Sequence, residues 1–267
     1  MNRETDFYEK KLFCMLGSSK KFANQVVGSR FFAGGLDQIF EHYAGILDTD
    51  QHRVVGSFFS DWYVWLCSSF FYELSHHDHI MDFSFDNIAL QYEGKSFLFQ
   101  VIDASRGKAI SPEENREDAI REALRLIFAG HIKKVFDYTV EITGIDPGTQ
   151  WATASSSLHY MYEAWIRDTD QPELQAKLKN DLHYMTAEAD AELFGLTRRN
   201  PLRMKFRWIP DAYEEGQLVR MKNKCCLHYL LHQGKGSYCY TCPSLSEEER
   251  EKRRVEIQEK RKLEALK

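Results

Sequence analysis

Residues 224 to 243 read KCCLHYLLHQGKGSYCYTCP and hold four of the chain's six cysteines within eighteen positions. Cys225 and Cys226 are adjacent; Cys239 and Cys242 form a C-x-x-C step that ends on Pro243. No hydrophobic pattern in the chain constrains the fold as tightly. If the four thiols act together, two stretches separated by a twelve-residue loop must lie side by side. Neighbouring residues of an extended strand point to opposite faces. Cys225 and Cys226 therefore reach one centre only if the strand ends or kinks there.

The opening MNRETDFYEKK carries acids and no long apolar run behind a basic start, so it does not read as a signal peptide. A cytoplasmic protein keeps its thiols reduced, which disfavours structural disulfides. Four thiolates then suit tetrahedral zinc or an iron–sulfur cluster, since both take soft sulfur ligands. Structural zinc sites usually use two spaced knuckles. A two-iron cluster is larger than a single ion and accommodates a divergent adjacent pair better. Gly234 and Gly236 would let backbone N–H groups approach the sulfurs. Cys14 and Cys67 sit in apolar helical contexts and read as buried thiols without chemistry.

The rest of the chain reads as α+β, mostly helical, with a small antiparallel sheet. Helices are expected over 5–16, 36–47 and 51–74. The last is the most hydrophobic stretch, but Asp61 in its middle argues for a core helix rather than a membrane span. Residues 87–104 alternate around Glu93-Gly94, a strand–turn–strand signal. Ser111-Pro112 opens the next helix as cap and first residue, and the helical spacing runs to about 143. Gly144 and Pro147-Gly148 break it, and helices near 149–167 and 172–194 follow. Residues 202–209 and 217–223 read as a second strand pair around Pro210-Asp211. The charged tail reads as a solvated helix with pairs such as Glu249–Arg253 and Glu256–Lys260. This divides the chain into a helical and sheet domain (1–220), a cysteine segment (221–245) and a charged helical tail (246–267).

The stretch RMKNKCCLHYLLHQGKGSYCYTCP resembles the C-terminal end of the FhuF-like siderophore ferric-iron reductases. Members of that family carry C-C-x10-C-x2-C after a basic strand and bind a [2Fe–2S] cluster. The likeness is strong over this ending and extends to the rest of the chain only in layout. One departure is plain: twelve residues, not ten, separate Cys226 from Cys239. The extra length fits an insertion at 233–236. The resemblance implies that Cys225, Cys226, Cys239 and Cys242 hold a C-terminal [2Fe–2S] loop. It also implies one-electron reduction of ferric siderophores in the cytoplasm, with release of iron(II). The rival readings are a zinc-stabilised binding module without turnover and an electron carrier to another protein.

Such a reaction needs a nearby electron donor and a dock for the chelate. Iron(III) is held by hard oxygen donors far more tightly than iron(II). Plant-type clusters with four cysteines lie at about −400 mV, and each 59 mV is about tenfold in equilibrium constant. Many ferric siderophores are anionic, and charge steers association. The chain carries a net −5, yet residues 198–224 hold eight basic residues against three acidic ones. In extended strands Arg203, Lys205 and Arg207 would share one face, and Arg220, Lys222 and Lys224 another, making a basic platform beside the cysteines. Solvent-facing charge on a half-exposed sheet is the plainer explanation for the same pattern. Nucleic acid is disfavoured by the overall acidity.

No G-x-G-x-x-G or Walker loop follows a strand. Electrons are therefore expected from outside, from a ferredoxin, a flavoprotein or a small thiol. His228 and His232 flank the cysteine loop, and Tyr229, Tyr238 and Tyr240 are expected to shield it. The knot His76-His77-Asp78-His79 reads as a polar helix end more readily than a metal site. Trp151, Tyr160, Tyr162 and Trp165 read as core. Asp61 is either paired internally or faces a cleft.

Overall fold

The computed structural model describes residues 3–232 and 236–265. Helix α1 (Arg3–Lys11) stops earlier than its apolar spacing suggests. Phe13 takes a left-handed backbone (φ 50°), and the chain continues as strand β1 (Cys14–Leu16). Strand β2 (Asn24–Val27) and helix α2 (Leu36–Leu47) follow, the helix with the expected bounds. The long aromatic helix is two: α3 (His52–Leu66) and α4 (Ser68–His77). Cys67 departs from helical geometry (φ −80°, ψ 3°) between them, where Ser68 Oγ donates to the Leu12 carbonyl at 3.1 Å.

After the short β3 (His79–Ile80), strands β4 (Ile88–Glu93) and β5 (Ser96–Val101) form the expected hairpin, with Gly94 at φ 55° in its turn. The four-stranded sheet runs β1-β5-β4-β2. β1 joins β5 in parallel and the other pairs are antiparallel, so the sheet is mixed. β6 (Lys108–Ala109) pairs with β3. Helix α5 (Arg116–Leu124) is capped by Asn115, which accepts from Glu117 N–H at 2.9 Å. Ser111 is not the cap: its hydroxyl donates to Glu113 in a turn before the helix. A π-helical stretch, 125–132, carries α5 into α6 (Lys133–Thr143), which ends on left-handed Gly144.

Helix α7 (Pro147–Asp168) begins with proline after the cap Asp146, which accepts from Thr149 N–H at 2.9 Å. Helix α8 (Pro172–His183) is shorter than expected and gives way to a π turn at 184–188 and a short 3-10 turn at 191–194. The second strand pair is also shorter: β7 (Trp208–Pro210) pairs with β8 (Leu218–Arg220). The pairing reaches back only as far as the Arg207 carbonyl, which accepts from Met221 N–H at 2.8 Å, and residues 203–206 lie outside it. Asn200 donates to the carbonyls of Met185 and Ala189, and Ser155 of α7 holds the carbonyl of fully buried Leu202 at 2.8 Å. Helix α9 (Glu247–Ala265) forms the tail. Among the described residues its ion pairs are Arg250–Glu247, Lys252–Glu248, Arg254–Glu251 and Lys260–Glu264 rather than the expected ones. Glu249 instead joins Ser246 in a capping box. No helix among the described residues is long and apolar enough to cross a membrane.

Helices α2, α6 and α7 pack around α3, and the sheet packs on its other side through Tyr63 and Phe99. Gly56 allows the close approach of α3 to the end of α6, since a Cβ there would meet Thr143 Oγ1 at 2.2 Å. Inside this core His131 bonds Tyr63 Oη at 2.7 Å and the Phe83 carbonyl at 2.8 Å, and it stacks on Phe85. Burial pushes its pKa down to about 4. The unfolded chain therefore binds a proton near pH 6.5 that the folded chain refuses. Stability is full above pH 6.5 and falls as pH drops toward 4. The loss reaches about 3 kcal/mol for this group. Urea titrations at pH 7.5, 6 and 5 are expected to show that His131→Gln has a smaller acid loss than the unaltered chain. Identical pH slopes would place the loss elsewhere.

Candidate metal centre and adjoining cavities

The structure places the two C-terminal cysteine segments side by side. Neither cysteine segment is a strand, and the chain reverses straight after Cys226 because Leu227 adopts φ 63°. A left-handed non-glycine residue costs about 1–2 kcal/mol. The reversal turns backbone donors toward sulfur: Leu227 N–H reaches Cys225 Sγ at 3.4 Å, and His228 N–H bonds Cys226. The second pair sits on a turn closed by Cys242 N–H to the Cys239 carbonyl at 3.0 Å. The two segments are joined by Lys222 N–H donating to the Thr241 carbonyl at 2.9 Å.

Three further anchors position them. Ser57 of α3 donates to the Cys226 carbonyl at 3.0 Å. Tyr240 Oη donates to the Pro210 carbonyl at 2.6 Å. Arg250, only 4% exposed, donates to the carbonyls of Tyr240, Cys242 (3.0 Å) and Leu245 (2.9 Å). The first turns of the tail helix thus clamp the Cys239–Cys242 turn, a role its charge pattern did not reveal.

The four thiols influence one another's ionisation, Cys225 chiefly through Cys242 and Cys226 chiefly through Cys239. Among the described residues no three His, Cys, Asp or Glu side chains stand close enough to hold a single metal ion. Cys14 and Cys67 are fully buried elsewhere, as expected. The hydrogen bond from Cys239 lowers the Cys226 pKa well below the usual thiol range, and the Lys222 ammonium, 3.2 Å from Cys226 Sγ, adds to this against the opposing effect of burial. Cys239 is raised by the same bond, and burial pushes Cys225 up to about 11. Burial works to lower Lys222, but the Cys226 thiolate outweighs it and the net shift is upward.

Two adjoining cavities open near this segment, and Cys226 lines one of them. The smaller, about 230 Å³, is walled by Cys226, Lys222, Asp61, Ser157, Trp65 and Tyr160. Asp61 therefore faces a cleft. Burial raises its pKa, partly offset by the 2.7 Å bond from Ser157 and by Lys222. Trp65 and Tyr160 meet edge to face, 5.8 Å between centroids. Tyr160 is 65% exposed rather than core, whereas Trp151 and Tyr162 are buried. The larger cavity, about 530 Å³, shares Ala152, Asn223 and Lys224 with the smaller and continues past Arg198, Arg199 and Arg203.

The expected basic platform is not a sheet face. Lys222 lies against Cys226, and Lys224 lines both cavities, with Asp146 at 3.7 Å. Arg203 lines the larger cavity. Arg207 pairs with Glu247 at 2.8 Å. Arg220 pairs with Glu163 and covers the rings of Phe206 and Trp208. Lys205 is exposed and lines neither cavity. Tyr238 lies near Cys225 and Cys242 and packs on Tyr229, with ring centroids 4.7 Å apart. His228 faces Phe58, with ring centroids 6.2 Å apart. His76 stacks on Tyr72, and His79 pairs with Glu73 at 3.0 Å, so this knot is a polar helix end. The expected role of Gly234, and most of the loop where the extra length was placed (233–235), lie outside the described residues. No protein-family model and no curated protein matches this chain.

In metal-free protein, iodoacetamide at pH 6 is expected to label Cys226 before Cys225 or Cys239, with Cys14 and Cys67 unlabelled, as read by peptide mass spectrometry. Lys222→Met should slow that labelling severalfold. Equal labelling of the three surface thiols would contradict the charge distribution.

Proposed function

We infer that the chain is a ferric-siderophore reductase whose C-terminal segment binds a [2Fe–2S] cluster. The observation that carries this reading is that the Lys222–Thr241 bond brings two cysteine segments side by side, next to an open cavity lined by Cys226. Such a cluster would be held by four cysteine thiolates, and Cys225, Cys226, Cys239 and Cys242 would supply them. The fit extends beyond sulfur. Lys222 and the N–H groups of Leu227 and His228 already point at these thiols, and such donors tune a bound centre. When bound, the cluster supplies single electrons at negative potential.

The chain's own residues bring the substrate close and keep charge balanced. The cavity beside Cys226 admits one edge of a chelate to within reach of the thiol pair. Lys222 keeps a positive charge there, which favours an anionic visitor and offsets the negative charge of thiolate sulfur. Trp65 and Tyr160 give the cavity an apolar wall. Tyr238 lies near Cys225 and Cys242 with Tyr229 packed on it, and Cys242 is only 2% exposed. The overall reaction converts iron(III) chelate and one electron to iron(II) chelate. The electron comes from an external reductant: a ferredoxin, a flavoprotein or a thiol. The oxygen ligands then hold the metal weakly, and it leaves.

Anaerobically purified protein is expected to be brown, with visible absorption bleached by dithionite. The pre-reduced protein should release iron(II) from ferric chelates to a ferrous trap. Cys239→Ser should remove the colour and the turnover and lower stability, since ligation and folding are linked. Colourless, zinc-loaded protein would contradict the reading. A coloured protein that reduces no chelate would make it an electron carrier instead.

A further inference from the structure

The geometry points to a second subsite, an arginine cradle that receives the carboxylate periphery of a metal chelate while its metal-bearing edge lies toward Cys226. The two cavities share a wall of Ala152, Asn223 and Lys224, so they form one trough with Cys226 at one end. The far end carries Arg198, Arg199 and Arg203, and no acidic side chain lines the larger cavity. None of these arginines makes an ion pair among the described residues. Their near neighbours Arg207 and Arg220 are both committed, to Glu247 and Glu163. Lys224 keeps only a 3.7 Å contact with Asp146.

At the junction of the two cavities, Asn223 Nδ2 is buried without a hydrogen-bond partner. A buried donor left unmade costs about 1–3 kcal/mol, and a ligand acceptor bridging the two cavities would satisfy it. Guanidinium groups bind carboxylates through paired N–H donors, a match that neutral amides do not offer. The larger cavity is of ordinary ligand size, about 530 Å³. The ligand class is thus a polycarboxylate chelate of a trivalent metal rather than a neutral hydroxamate. The metal cargo rests on the reductase reading; the cradle's preference for carboxylate does not.

The test is calorimetric binding of redox-inert gallium(III) citrate to the full chain. A neutral gallium trihydroxamate and free citrate serve as comparisons. Arg198→Gln combined with Arg199→Gln should weaken gallium citrate about tenfold to hundredfold. It should leave the neutral complex within about twofold. Lys20→Gln with Lys179→Gln removes the same charge at exposed positions outside the trough and should change gallium citrate binding no more than about twofold. Equal loss in both double variants, equal loss for the neutral complex, or no binding of gallium citrate would each overturn the cradle; free citrate binding as tightly as its gallium complex would overturn the metal chelate as its ligand. Arginine-dependent binding in a protein that lacks iron and sulfide would sink the reductase reading and leave the cradle standing.

Discussion

The backbone hydrogen bond from Lys222 N–H to the Thr241 carbonyl ties the two cysteine segments together across a gap of eighteen residues. The rest of the site depends on that bond holding its register. Lys222 can then lie on Cys226, and Cys242 comes near enough to Cys225 to add to the rise that burial gives its pKa. The same segment is held from three directions: by Ser57 of α3, by Tyr240 against Pro210, and by Arg250 of α9. Because α3 and α7 also build the cavity walls, the hydrophobic core and the thiol centre share one frame. A shift of α3 would move Asp61, Trp65 and the Cys226 carbonyl together.

The local electrostatics follow from this packing. Lys222 is drawn toward a thiolate, and Asp61 sits nearby at reduced solvent exposure, where its charge is disfavoured. The positive charge is therefore concentrated at Cys226 and then again at the arginines of the larger cavity. The overall −5 charge of the chain makes this contrast sharper. Arg207 and Arg220, which carry the same formal charge, are neutralised by Glu247 and Glu163 and do not add to it.

Much of the architecture was legible in the sequence. The bounds of α2 and the β4–β5 hairpin follow from periodicity and turn residues, whereas α7 begins at Pro147, which reads as part of a break although proline suits the first helical position. What failed was tertiary in origin. The first helix gives way to β1 because residues 14–16 complete the sheet beside β5, which no local pattern announces. The strand at 202–209 is cut short because Asn200 and Leu202 are bound by other segments. Alternating charges at Arg203, Lys205 and Arg207 therefore looked like a platform but scatter in space. The cysteine spacing correctly flagged a reversal after Cys226. Sequence could not show that Asp61 faces Lys222, that Arg250 clamps the second pair, or that Arg198 and Arg199 share a cavity with Lys224. Each depends on contacts between residues far apart in the chain.

The central claim is that Cys225, Cys226, Cys239 and Cys242 together hold two irons bridged by sulfide. It is tested most directly by quantifying iron, acid-labile sulfide and zinc per chain in protein purified without oxygen. The account predicts about two irons and two sulfides per chain with negligible zinc. About one zinc per chain with no sulfide, or no metal at all, would contradict it.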